Sequence, residues 1–119
     1  MATFRLDSII LHVRDVEMLR RCKEWYGKIG LPMAVEDPSE SVFFDTGSGT
    51  MLGIHTATDV GSTDCTVYLE VDDVDAMYKR LHADGIVFDA PPATKPWGAR
   101  TVPLADPAGH RLELMTRFR

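Results

Sequence analysis

One short phrase occurs twice in this chain of 119 residues. Leu11-His12-Val13-Arg14-Asp15-Val16 returns as Leu69-Glu70-Val71-Asp72-Asp73-Val74, a shift of 58 (69 − 11). A second phrase, Gly49-Thr50-Met51-Leu52-Gly53-Ile54, returns as Gly109-His110-Arg111-Leu112-Glu113-Leu114, a shift of 60 (109 − 49). Tandem copies restrict the fold, because each copy must build the same local structure. A copy of this length buries too little apolar surface to stand alone, so two modules sharing one domain are expected, about 1–58 and 59–119. The repeat also lets equivalent positions be compared, which separates residues the fold requires from residues added to it.

Each copy opens with a β-branched apolar run and then an Asp placed as a helix N-cap, where its carboxylate accepts orphan backbone N–H groups. In the first copy residues 6–13 read as a strand and Asp15 as the cap. Val16, Leu19, Cys22, Tyr26 and Ile29 then recur at helical spacing until Gly30 and Pro32 end the helix. Strands are expected at 33–36, 41–45 and 50–56, separated by Asp37-Pro38 and Gly47-Ser48-Gly49. The second copy repeats the order. A strand covers 64–71, Asp73 is the cap, Val74, Met77, Tyr78 and Leu81 form the buried stripe, and Asp84-Gly85 ends the helix. Strands near 86–89, 99–104 and 110–116 follow, with Pro91-Pro92 and Pro96-Trp97-Gly98 between the first two. Each copy is therefore β-α-β-β-β. The fold class is α+β: two βαβββ modules in tandem, forming a shared, curved mixed sheet with a concave pocket and helices on the outer face.

Strand parity assigns the faces. Ile9, Leu11 and Val13, like Val67, Leu69 and Val71, belong to the helix side. The opposite face receives Ser8, Ile10 and His12; Thr66, Tyr68 and Glu70; Met51, Gly53 and His55; and Arg111, Glu113 and Met115. So many polar groups do not suit a packed interior, but they suit the wall of a solvated pocket.

With 13 Lys and Arg against 18 Asp and Glu, the net charge is −5 and no basic run occurs, which argues against nucleic acid as a partner. No apolar run is long enough to span a bilayer, and Met1 to Arg5 carries no secretory pattern. Cys22 and Cys65 lack metal or redox spacing, so two reduced thiols and a cytoplasmic location are expected. Nucleophile elbows and phosphate-cradling glycine loops are missing from the sequence.

The chain resembles the vicinal oxygen chelate superfamily, which includes glyoxalase I, extradiol dioxygenases, fosfomycin-resistance enzymes and bleomycin-resistance proteins. The resemblance rests on Val13-Arg14-Asp15-Val16, Trp25-Tyr26-Gly27-Lys28-Ile29-Gly30-Leu31 and Pro96-Trp97-Gly98-Ala99-Arg100. It rests further on Asp106-Pro107-Ala108-Gly109-His110-Arg111-Leu112-Glu113-Leu114 and covers nearly the whole chain. It implies paired βαβββ modules and a homodimer. In metal-using members it implies ligands from four equivalent places, which fall here on Ser8, Gly53, Thr66 and Glu113. A glycine offers no donor and neutral hydroxyls are poor ligands for a transition metal, so only Glu113 is retained and no metal cofactor is expected. A shifted divalent metal site using His12, Glu70 and Glu113 is the alternative. Strand residues four apart lie about 13 Å from each other, however, which opposes convergence at the old place.

The candidate ligand-binding residues are His12, Phe44, His55, Tyr68, Glu70, Trp97, Arg111 and Glu113, with Glu113 and His12 as the candidates for acid–base work. His12 and Glu70 are equivalent across the repeat. Glu113 is placed to pair with Arg111 or Arg100. Trp97 follows Pro96 in a loop where the core needs no aromatic, so it is expected to stack on a flat or cationic ligand. His82 and His110 are read as solvated. The expected function is metal-free binding of a small molecule. The alternative is a metal-dependent lyase or dioxygenase with a partial or shifted site.

Overall fold

A computed structural model describes residues 4–61 and 64–118. The chain divides into two compact units, Met1–Ser62 and Thr63–Arg119, and each is described by itself. Unit one contains β1 (Ser8–Val13), α1 (Val16–Ile29), β2 (Met33–Asp37), β3 (Ser41–Asp45) and β4 (Met51–Thr56). Unit two contains β5 (Thr66–Glu70), α2 (Val74–Ala83), β6 (Ala93–Lys95), β7 (Ala99–Ala105) and β8 (Arg111–Arg117). The order is βαβββ in both.

Each unit has its own four-stranded mixed sheet, ordered β1-β4-β3-β2 in the first and β5-β8-β7-β6 in the second. The first and last strands of each module run parallel, and the other neighbours are antiparallel. This topology brings the two repeated phrases side by side. Residues of β1 and β4, far apart in sequence, become cross-strand partners, and the same holds for β5 and β8.

The capping carboxylates hold both helix starts. Asp15 Oδ1 accepts from the Met18 amide at 2.8 Å, and Asp73 Oδ1 accepts from the Ala76 amide at 3.1 Å. Gly30 closes α1 at φ 113°, a left-handed conformation that costs a glycine little. α1 lies over β1, β3 and β4 and buries Leu19, Cys22, Tyr26 and Ile29 against Leu11, Val13, Val42, Phe44, Leu52 and Ile54. α2 lies over β7 and β8 and buries Val74 and Leu81, with Val102, Leu104, Leu112 and Leu114 as the buried residues of those strands. In both units the helix-side core follows the parity read from the sequence.

One strand is displaced. The expected strand near 86–89 is not a ladder strand: Ile86 donates back to the Leu81 carbonyl to finish the helix, and Phe88 makes only an isolated bridge to Leu104. Pro91-Pro92 lacks the amides that a ladder needs, so pairing begins beyond it, at β6. His110 is also not solvated. It is buried in the β7–β8 turn, with Nδ1 2.7 Å from Asp106 Oδ2. Asp106 Oδ1 accepts from the Ala108 and His110 amides as well, at 2.9 Å each, so the Asp-Pro-Ala-Gly-His turn is fastened by one buried carboxylate. His82, by contrast, is exposed as expected.

Candidate functional site

In the second module the sheet face away from α2 is built from alternate residues of β5, β8 and β7. The register places Thr66 opposite Arg111, Tyr68 opposite Glu113 and Glu70 opposite Met115. Pro103 then stands opposite Glu113, and Thr101 opposite Met115. The centre of this face is a side-chain pair: Tyr68 Oη donates to Glu113 Oε2 at 2.9 Å. That bond, with smaller contributions from desolvation and the carboxylate charge, holds the Tyr68 phenol above its usual pKa. The hydroxyl therefore stays a donor to higher pH than a free tyrosine would.

Trp97 stands beside the pair. It sits in the turn joining β6 to β7, where Gly98 takes φ 91° and lets the chain reverse. Its ring meets Tyr68 edge to face, centroids 6.0 Å apart and planes at 80°. The Arg117 guanidinium is 6.0 Å from the Trp97 ring centroid. Trp97 and Tyr68 are 48% and 47% exposed, far more than a core aromatic would be. On the same face Thr101 is 1% exposed, and its hydroxyl is the one buried side-chain oxygen without a hydrogen-bond partner among the described residues. Carboxylate, phenol, indole and an unsatisfied hydroxyl thus share one sheet face.

The other candidates of this module have structural partners. Arg111 reaches Asp64 at 3.2 Å in an exposed pair, and Arg100 forms a two-pronged pair with Asp75 of α2 at 2.8 and 3.0 Å. Neither arginine holds Glu113, contrary to the expectation. Arg100 has helix-side parity, and the cross-strand neighbour of Glu113 is Tyr68. Glu70 is exposed at the end of β5. Elsewhere in the module, a groove of about 460 Å³ between Tyr78, His82, Phe88 and Pro91 contains none of the ligand-binding candidates.

In the first module one row crosses all four strands in register: Ile10, Gly53, Phe43 and Val35. The next row holds His12, His55, Ser41 and Asp37. His12 is exposed. His55 Nδ1 donates to the Thr56 carbonyl at 2.6 Å, and its Nε2 lies 3.4 Å from Glu40. Phe44 does not face this surface. It is 1% exposed and packs on Tyr26 of α1 at 5.5 Å, so Phe43, not Phe44, is the phenylalanine on this face. The signal was present in the strand: Phe43 shares parity with the polar Ser41 and Asp45, while Phe44 shares it with Val42. Tyr68 and Glu113 were read from sequence as separate candidates. Their bond depends on the β5–β8 register, which no local pattern encodes. Thr101 gave no sequence signal at all.

The metal ligand set that the resemblance implies does not fit these residues. A Cβ on Gly53 would lie 2.8 Å from Phe43 Cδ2 and closer still to Cε2, so the space for a ligating side chain is filled by a ring. Ser8 and Thr66 offer only neutral hydroxyls, and Glu113 already accepts from Tyr68. No group of three or more His, Cys, Asp or Glu is placed to hold a metal ion among the described residues.

The profile of the Glyoxalase/Bleomycin resistance protein/Dioxygenase superfamily matches residues 5–114. Among solved structures, TioX from Micromonospora sp. ML1 is 23% identical, with 97% of this chain and 100% of that one covered at a TM-score of 0.75. A lactoylglutathione lyase from Agrobacterium tumefaciens is 22% identical, covering 94% and 92% at 0.76. A glyoxalase/bleomycin resistance protein/dioxygenase from Nocardioides is 22% identical, covering 100% and 87% at 0.73. At such identities the likeness establishes the fold and no more. Among curated proteins, none matches.

Proposed function

The chain belongs to the Glyoxalase/Bleomycin resistance protein/Dioxygenase superfamily, and on that premise we propose that it binds a small molecule without using a metal. The observation that carries this reading is the Tyr68–Glu113 hydrogen bond. Glu113 stands at the one place where the family's ligand chemistry is retained, and here a phenol occupies its Oε2. Oε1 is then the atom that can accept from a ligand N–H or O–H. Trp97, half exposed and braced against Tyr68, supplies a flat apolar surface beside that acceptor. A few placed polar groups next to aromatic carbon are what small-molecule sites are made of, and sequestration needs no bond to break.

The preferred ligand is neutral or cationic, with a donor for Glu113 and a ring for Trp97. The chain's net charge of −5 agrees with that preference. We place the protein in a reducing, cytoplasmic compartment, since neither Cys22 nor Cys65 takes part in a disulfide, and we propose a homodimer as its working form.

The test is a ligand screen read by intrinsic fluorescence and thermal shift, with Trp25→Phe removing the other indole. Hits that quench Trp97 and weaken in Glu113→Gln support binding at this face. Hits indifferent to both residues contradict it. A ligand turned over only when divalent metal is added would move the reading to a lyase or dioxygenase.

A further inference from the structure

The two modules are each other's control, and one comparison is informative. By the repeat shifts of 58 and 60, Ile10 and Gly53 are the counterparts of Tyr68 and Glu113, and Phe43 is the counterpart of Pro103. The register agrees: Ile10 pairs with Gly53 and Gly53 with Phe43, as Tyr68 pairs with Glu113 and Glu113 with Pro103. At the same place in the scaffold, one module carries a hydrogen-bonded carboxylate and phenol, and the other carries hydrocarbon. The missing side chain at 53 is not an empty notch. Phe43 fills it so closely that any Cβ there would overlap the ring. An aromatic laid over a cross-strand glycine covers backbone that would otherwise be exposed. The row then continues as apolar surface through Ile10 and Val35, which are 42% and 56% exposed.

We propose that Phe43 is a specificity-determining residue. Its ring closes the β4 position of the first module to a metal-donor side chain and gives a ligand aromatic carbon to meet instead. Glycine at 53 and phenylalanine at 43 are then one device: the ring lies across the strand only while 53 has no side chain. This inference rests on the small-molecule reading and adds to it an aromatic contact on the first module's own sheet face, where Ile10, Phe43 and Val35 lie in one row.

The experiment is a four-member set on the full chain: wild type, Gly53→Ala, Phe43→Leu and the double variant. Leu keeps the apolar volume that Phe43→Ala would remove, so the fold is retained. Gly53→Ala is expected to lower the melting temperature of the wild type, since the ring must leave. In the Phe43→Leu background the same change should be neutral or raise it, because alanine suits a strand better than glycine. The Gly53 Hα resonances should sit upfield in the wild type and relax in Phe43→Leu. Titration with Nile red, a neutral planar dye, should weaken about tenfold in Phe43→Leu, the scale of a lost aromatic contact. Additive melting shifts, or unshifted Gly53 resonances, overturn the coupling. Unchanged Nile red affinity overturns the ligand contact. Zinc or manganese binding that depends on Glu113 would instead refute the metal-free reading, a failure separable from the other two.

Discussion

At the scale of single residues, Trp97 and Tyr68 form the exposed aromatic pair beside Glu113. Trp97→Ala should weaken a bound ligand by about 1–3 kcal/mol, the range for a central aromatic anchor, as read by calorimetry. Its effect on the melting temperature should be small, because a half-exposed ring contributes little burial. A large stability loss with unchanged binding would return Trp97 to a packing role. Tyr68 makes a prediction in pH. Its pKa is raised, chiefly by donating to Glu113, so the neutral phenol is favoured in the folded state. The stability it contributes is complete below the unfolded tyrosine pKa and is lost as pH rises through the folded one. Ultraviolet titration of wild type against Tyr68→Phe isolates the Tyr68 phenol, which should ionise above the ordinary tyrosine value, and Glu113→Gln should bring it back toward that value. A Tyr68 that titrates normally would mean that the bond does not persist in solution. Parity could place these side chains on a face but could not pair them. The Phe43–Phe44 choice was legible from the polar neighbours of Phe43, whereas the Tyr68–Glu113 bond awaited the strand register.

At the scale of elements, the repeat made most of the fold readable. Among the described residues, both N-caps, both helices and seven of the eight strands follow from the spacing of Asp, Gly, Pro and the apolar residues. β6 was misplaced because Ile86-Val87-Phe88 has strand composition, while the actual strand is a three-residue edge, Ala93–Lys95, with no pattern of its own. The Asp106-Pro107-Ala108-Gly109-His110 turn was visible as a motif, but its burial was not. Asp106→Ala would leave two amides and an imidazole without their acceptor inside the protein. It should cost roughly 3 kcal/mol in denaturant unfolding, and a cost near zero would show that the turn does not depend on this carboxylate. The α2–β7 tie predicts the opposite pH limb from Tyr68. Hydrogen bonding to Arg100 lowers the pKa of Asp75, so its contribution is present above the unfolded Asp pKa and fades as pH falls through the folded one. Asp75→Asn should flatten the acid side of the stability profile, and an unaltered profile would show that the tie is not formed.

At the scale of the whole chain, family membership gives a scaffold used for both binding and catalysis, so the difference must lie in side chains. The four places that the sequence resemblance implies for a metal ligand carry Ser8, Gly53, Thr66 and Glu113. One is closed by Phe43, two are hydroxyls, and the last accepts from Tyr68. The measurement that bears most directly on this is elemental mass spectrometry of untagged protein purified without chelators, followed by titration with zinc, manganese, nickel and iron(II). Metal far below one ion per chain and no saturable binding in the micromolar range are expected. Close to one ion per chain, lost in Glu113→Gln, would contradict it and make the protein a metal-dependent member of its family.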